Sequence, residues 1–456
     1  MGENIIFWGC QIPARFPFIE KSVRVVFKML EYPLKDMDGF TCCPEKALIN
    51  NLSREIWYMT AARNLALAES ARGKGRDVTL IEPCNGCFST LKTVSSSLNV
   101  DPKLKDKVNT GLSSIGLSYN GKVDVKHLIE VFHDVIGTHK IQSEVKIPLS
   151  GLKIAVHPGC HLTRPSRAIH FDDPMFPKKF DAIVTALGVE SVAYDSKMLC
   201  CGGELGNIGD LEEGEALTRQ KLIELNKKEI DAIAVACPAC FKQFDTQQFM
   251  MQRQGEDFNI PVFFISELIG IAFGISPTEL GIDSHRVKTD SFFEKWDKAM
   301  TKIKKVKEHF DINALSTCYA CGACIDDCPA ARSIEGYDPR EIFAEILKGE
   351  MEKLIDDPRI WQCLECHACA ELCPQHFGME TVFTALKKLA NARGIKPSAV
   401  EKGHEMFRKT SRVGEPSIAQ RKKLKLPDFP VSGVEELKKL LDENIIKDIL
   451  KDEEEE

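Results

Sequence analysis

The chain has 456 residues, 43% of them apolar, and its 60 Lys and Arg against 67 Asp and Glu leave a formal net charge of −7. That length predicts roughly three domains able to bury cores without disulfide staples, and the acidic balance argues against nucleic acid as a general partner. The stretch from Met1 to Arg15 lacks the apolar centre of a signal peptide and no run approaches the ~18 apolar residues of a membrane span, so a cytoplasmic chain with no direct membrane span is expected.

In that reducing compartment the 18 cysteines are expected to be metal ligands or redox groups. Along the chain, Asn4 to Trp8, Val78 to Ile81, Lys153 to Val156 and Ala232 to Ala236 read as buried strands. Ser53 to Ala71 and Leu211 to Lys228 read as helices. Strand and helix in alternation predict a parallel α/β sheet with its ligands beyond the carboxyl ends of the strands, which is where cysteines fall. Cys10, Cys42-Cys43 and Cys84-x2-Cys87 recur as Cys160, Cys200-Cys201 and Cys237-x2-Cys240, at offsets of 150 to 158 residues. FWGCQIPAR answers HPGCHLTR and EPCNGCF answers ACPACF, so two copies of one domain are expected, over 1–149 and 150–280.

A polar, lysine-rich stretch over 281–310 reads as a linker or an exposed helix. Over 311–400, Asp338-Pro339 offers an N-cap and first-turn proline to a helical face of Ile342, Phe343, Ile346 and Leu347. Thr381 to Ala392 has the same periodicity, so this domain is predicted to be all helical. Residues 401–456 form an extension ending in KDEEEE, read as a solvated tail.

Two motifs in the helical domain, Cys318-x2-Cys321-x2-Cys324-x3-Cys328-Pro329 and Cys363-x2-Cys366-x2-Cys369-x3-Cys373-Pro374, match the bacterial two-cluster ferredoxin run, whose fourth cysteine ligates the other cluster. Three closely spaced thiolates wrap one corner of a cubane, and the chain cannot bring the fourth round to the far iron. Cys318, Cys321, Cys324 and Cys373 are therefore assigned to one 4Fe-4S cluster, and Cys363, Cys366, Cys369 and Cys328 to the other. The spacing is not that of a zinc ribbon. His367 and His376, beside these cysteines, read as surface or packing residues.

Each earlier copy carries five cysteines, one more than a cubane needs. A vicinal pair can bind or bridge neighbouring irons, which points to an unusual cluster; a redox-active disulfide beside a three-cysteine site, or zinc at the second copy's CPAC, is also compatible with the residues.

The patterns Cys-x31-Cys-Cys-x40-Cys-x2-Cys and Cys-x39-Cys-Cys-Gly-x34-Cys-x2-Cys are those of the cysteine-rich CCG domains. With GCQIPARFPFIEKSVR, DGFTCCPE, AARNLALAE and CNGCFSTL, the first 280 residues resemble the B subunit of heterodisulfide reductase. Residues from about 310 to 395 resemble its C subunit, a helical ferredoxin-like protein. The chain thus looks like a B-to-C fusion, with CCPE in the first copy departing from CCGG in the second. The resemblance implies a noncubane 4Fe-4S cluster at each five-cysteine set, with a mixed disulfide of coenzyme M and coenzyme B (CoM-S-S-CoB) between the two. It also implies a flavin-containing, electron-bifurcating A subunit as donor, supplied by a hydrogenase or formate dehydrogenase. No G-x-G-x-x-G fingerprint follows a strand in this chain, so flavin or nicotinamide must reside elsewhere.

His161, directly after Cys160, is the candidate proton donor. Arg15, Arg164 and Arg167 follow the first cysteine of each copy and are candidate guanidinium forks for the substrate's sulfonate, phosphate and carboxylate groups, with surface arginines at helix starts as the plainer alternative. The expected function is that of the catalytic part of a disulfide reductase. A non-catalytic electron-transfer adapter, or a CCG component of lactate, glycolate or thiol:fumarate oxidoreduction, is the competing one.

Overall fold

The computed structural model describes residues 3–72, 77–373, 377–414, 416–428 and 433–441. It divides into two compact units, Met1–Ala299 and Met300–Glu456.

The first unit holds two parallel sheets. Strands β1 (Glu3–Ile6), β2 (Val78–Glu82) and β3 (Val123–His127) lie in the order β1-β2-β3. Strands β4 (Lys153–His157), β5 (Glu190–Ser191), β6 (Ala232–Val235) and β7 (Val262–Phe264) lie in the order β5-β4-β6-β7. The central β6 is buried along its whole length, the apolar signature of a parallel strand covered on both faces. The expected strand at Asn4 to Trp8 ends at Ile6, because the chain must turn through Gly9 at φ +65 to reach Cys10. Strand β3 alternates buried and exposed residues at the sheet edge and β5 is two residues long, so neither leaves the apolar run that marks the others.

The helices Arg54–Ser70 and Leu211–Lys227 lie where the sequence places them. The two copies share one continuous core. Helix Pro17–Met29 of the first buries Ile19, Val23 and Val26 and packs on helix Ile265–Ala272 of the second, where the Ser22 and Ser266 hydroxyls meet at 2.7 Å.

The stretch 281–310 is not a free linker. His285 Nε2 lies 2.9 Å from the buried Glu267 carboxylate, Asp245 accepts the Arg286 and Val287 N–H groups, and Phe292 is buried in the first unit's core. Helix Asp290–Lys307 follows, and the division between the units falls inside it. Its lysines gave the segment a solvated look; the apolar residues between them are what pack.

The second unit is all helical. Asp338 accepts the Arg340 N–H and Pro339 opens helix Pro339–Leu347. That helix buries Ile342, Phe343 and Ile346 against Val382, Phe383 and Leu386 of helix Met379–Ala392. The extension carries helices Ser398–Thr410, Ile418–Lys423 and Val434–Leu440, none with a buried residue. His376 and the KDEEEE tail lie outside the described residues. Among those described, no helix is long and apolar enough to cross a membrane.

Candidate functional site

All ten cysteines of the two copies line one cavity of about 220 Å³ in the first unit. The local reason is the end of the parallel sheets. Cys84 and Cys237 each leave a strand in extended conformation and cap the helices that start at Asn85 and Pro238. Cys10 and Cys160 follow Gly9 and Gly159, at φ +65 and +74, a conformation that favours glycine. A Cβ on Gly9 would lie 2.9 Å from Sγ of Cys87, the last cysteine of its own copy, and one on Gly159 would lie 2.3 Å from Asn85 Nδ2 of the other copy, so each glycine lets the backbone close on a neighbour in the site.

The sulfurs form a file. Cys10 meets Cys42 at 3.9 Å, and thiol contacts continue through Cys43, Cys87 and Cys84. Cys84 touches Cys237 of the other copy, and Cys240, Cys201, Cys200 and Cys160 follow. Read from either end the order is the same: first cysteine, vicinal pair, then the C-x2-C motif backwards.

The vicinal pairs are held differently. Asn64, buried in helix Arg54–Ser70, donates to the Cys42 carbonyl at 3.0 Å. Thr218 and Gln243 donate to the Cys201 carbonyl at 2.8 and 3.4 Å. Gly202 stands at φ +89 with the Gly214 carbonyl oxygen 2.1 Å from a Cβ, a backbone that proline cannot adopt. The CCPE of the first copy therefore takes another path, on which Glu45 caps the following helix by accepting the Leu48 N–H.

Thiols this close share protons. Hydrogen bonds from Cys42 and Cys87 bring Cys43 down to about 6 while Cys87 is pushed up. The same sharing pulls Cys200 far down and Cys160 up. Ten neighbouring sulfurs cannot all ionise without cations among them, which iron supplies, so the donor set fits iron-sulfur chemistry.

The cavity is also lined by Trp8, Gln11, Glu45, Leu48, Glu204 and His161. His161 is partly buried, and burial, then the charge of Lys46, lowers its pKa. The expected arginine forks are elsewhere. Arg15 is exposed at the end of helix Gln11–Arg15, Arg164 donates from Nε to the Pro174 carbonyl at 3.0 Å, Arg167 is exposed, and none of the three lines the cavity.

Several neighbours escaped the sequence reading. Asn85 Nδ2 reaches across the copies to the Pro158 carbonyl at 2.7 Å. Lys46 Nζ donates to Ser89 Oγ at 2.5 Å and acts on Cys43 and Cys160 together. His127 and His157, the last residues of β3 and β4, are fully buried, and desolvation lowers both, His127 to about 3. His157, Cys201 and Cys240 bring three donor atoms within 4.8 Å of one another. A histidine closing an apolar strand, as in KIAVH, was the available signal.

In the second unit, one cavity of about 250 Å³ is lined by Cys318, Cys321, Cys324 and Cys373. A second, of about 30 Å³, is lined by Cys328, Cys363, Cys366 and Cys369, with Cys324 at its edge. Cys369 Sγ donates to Glu380 at 2.7 Å, and burial and that carboxylate raise Cys369 to about 12. His367 is mostly exposed and meets the same carboxylate at 3.2 Å.

A family model described as a cysteine-rich domain (CCG) matches residues 5–92 and 154–245, and a 4Fe-4S dicluster domain matches 314–377. Over 297 residues, 65% of this chain and 97% of the relative, the chain is 36% identical to the B subunit of the ferredoxin/F(420)H(2)-dependent CoB-CoM heterodisulfide reductase of Methanosarcina acetivorans. The chain belongs to the family of heterodisulfide reductase B subunits. It is also 31% identical over 148 residues, 31% of this chain and 78% of the relative, to a protein of Archaeoglobus profundus described as like the C subunit of heterodisulfide reductase. The B and C subunits of heterodisulfide reductase are thus joined in one chain. In fold alone it is similar to the crystal structure of a hypothetical protein from Helicobacter pylori, with TM-score 0.50 and 15% identity over 63% of this chain and 52% of that one.

Proposed function

We propose that this chain is the catalytic and electron-transfer component of a heterodisulfide reductase, which reduces the mixed disulfide CoM-S-S-CoB to two thiols with two electrons and two protons. The observation that carries this reading is the palindromic file of ten sulfurs meeting at Cys84 and Cys237 in one cavity. A disulfide presents two sulfurs, and the cavity presents two matching sets to receive them.

Cys10, Cys42, Cys43, Cys84 and Cys87 would hold one noncubane 4Fe-4S cluster, and Cys160, Cys200, Cys201, Cys237 and Cys240 the other. Cys318, Cys321, Cys324 and Cys373 would hold one cubane cluster, and Cys363, Cys366, Cys369 and Cys328 the second. When bound, the clusters supply one-electron transfer to sulfur. The chain's residues do the rest. The capping turns at Cys84 and Cys237 fix the separation of the two sets, Gly9 and Gly159 let the loops close on them, and Asn85 ties one copy to the other. Burial lowers the pKa of His161 and favours the neutral imidazole. When an anion forms in the cavity its basicity rises, it takes up a proton from solvent, and the imidazolium passes that proton to the thiolate released beside it.

Electrons enter through the helical unit from a flavin-containing, bifurcating A subunit, and through it from a hydrogenase or formate dehydrogenase. Eighteen free thiols suit a cytoplasmic setting.

A specific observation favours one competitor, zinc at His157, Cys201 and Cys240. Metal analysis of the anaerobically purified chain, with a reduced-viologen assay of mixed-disulfide consumption, separates the two. About sixteen irons per chain, no stoichiometric zinc and viologen oxidation that depends on the disulfide are expected. About eight irons with bound zinc would refute the paired sites, and full iron without disulfide-dependent oxidation would refute the substrate.

A further inference from the structure

The two cysteine sets match in sulfur but not in the charge beneath them. Lys221 is fully buried on helix Leu211–Lys227. Three residues before it, Thr218 donates to the Cys201 carbonyl, so that helix face abuts the second vicinal pair. The Lys221 ammonium donates to the carbonyl oxygens of Ser196 and Lys197 and lies 5.3 Å from the centre of the buried Tyr194 ring. The neighbouring Glu224 gives its oxygens to the backbone N–H groups of Asp195 and Ser196. Burial lowers the pKa of Lys221 to about 8, and its charge acts on Cys201 and Cys240, then on Glu224 and Cys200, and on His157.

Beneath the first set there is no equivalent cation among the described residues. Glu82, the last residue of β2, is fully buried with neither carboxylate oxygen hydrogen-bonded, and burial raises its pKa well above the usual carboxylate range, so it supplies no charge to offset that of Lys221. Arg15 acts on Cys10 from an exposed position where water screens it. Lys46 faces Cys43 of one set and Cys160 of the other, so it does not distinguish them. A buried cation stabilises whichever state of a nearby centre is more negative, and reduction makes a cluster more negative by one charge.

We propose that Lys221 makes the second five-cysteine site the higher-potential member of the pair, so that the first electron reaching the first unit is held there. This rests on the reading that both sets hold iron-sulfur clusters. The electron comes from a one-electron, low-potential iron-sulfur donor, and the site gains one negative charge.

The test is a redox titration of the full, anaerobically prepared chain with dithionite and mediators, followed by electron paramagnetic resonance. The variants Cys43→Ala and Cys201→Ala assign the signals, and iron is measured on the same samples. The second-site signal should be reduced at the higher potential in the unmodified chain. Lys221→Met should lower its one-electron equilibrium constant at least tenfold, about 59 mV, leave the first site in place, and be reversed by Lys221→Arg. Signals that titrate together or in the opposite order in the unmodified chain overturn the proposal, whether or not Lys221→Met folds. Equal displacement of both signals by Lys221→Met overturns it too. Absence of iron from the ten cysteines would instead remove the reading of the site beneath it.

Discussion

Gly159 offers a direct test of how the two copies are held around the sulfur file. It stands at φ +74, where an added Cβ would lie 2.3 Å from Asn85 Nδ2, the atom that donates to the Pro158 carbonyl at 2.7 Å across the copies. Gly255 stands at φ +93 with nothing within 4 Å of the same atom. Both alanine substitutions incur left-handed strain of about 1–2 kcal/mol, offset by about 0.4–1 kcal/mol from stiffening the unfolded chain. Gly255→Ala should therefore cost about 0.5–1 kcal/mol. Gly159→Ala must also push Asn85 off its buried carbonyl, a further loss of about 1–3 kcal/mol, for a total of about 2–4 kcal/mol. Denaturant unfolding of the full chain, followed by far-UV circular dichroism at matched iron content, measures both. If the two variants agree within about 0.5 kcal/mol, Asn85 yields without cost and does not hold the copies together.

A chain ending at Ser276 should fail to accumulate as folded protein, since it loses His285 and Phe292 from the core, whereas one ending at Lys307 should stay soluble and retain the far-UV spectrum of the first unit. Burial lowers the pKa of His285 but the Glu267 carboxylate outweighs it and the net direction is up. The pair's contribution should therefore be full below the unfolded value of about 6.5 and fade as pH rises through the raised folded value. His285→Gln should cost about 3–5 kcal/mol in acid-side unfolding curves and less above that window, and a constant gap would contradict the pairing. Cys43→Ala and Cys201→Ala should each cut disulfide turnover by orders of magnitude while the dicluster signals of the helical unit persist. Near-normal turnover in Cys43→Ala alone would make the first set a relay.

The cysteine sets and the strands that carry them were legible because spacing along the chain is covalent and a covered parallel strand must be apolar. The crossed lining of the helical unit's cavities, with Cys373 beside Cys318 and Cys328 beside Cys363, follows the same logic. Lys221 was not legible. It sits in LEEGEALTRQKLIELNK, a sequence with the composition of a solvated helix, and it is buried by tertiary packing beside Tyr194 and the Ser196 and Lys197 carbonyls. The arginines misled in the opposite sense, since proximity in sequence to Cys10 and Cys160 says nothing of direction, and Arg164 turns to the Pro174 carbonyl. The stretch 281–310 read as a linker or an exposed helix because its lysines outnumber its few buried residues.

An unsymmetrical disulfide presents two different sulfur fragments to two matching sulfur sets, so only residues that differ between the copies can tell the fragments apart. By the repeat offset Gln11 answers His161 and Trp8 answers Pro158, while the divergent CCPE brings Glu45 and Lys46 to the same region. Of these, Glu45 and His161 line the cavity with titratable groups, and His161 directly follows Cys160. The variant His161→Gln places the first copy's residue in the second, with little change in volume and without touching a cysteine. If His161 protonates the released thiolate, turnover with reduced viologen should fall by about 10²–10⁴-fold, with iron content and both dicluster signals unchanged. A loss smaller than about threefold at full iron content would mean that solvent supplies the proton, and that the difference between Gln11 and His161 serves binding.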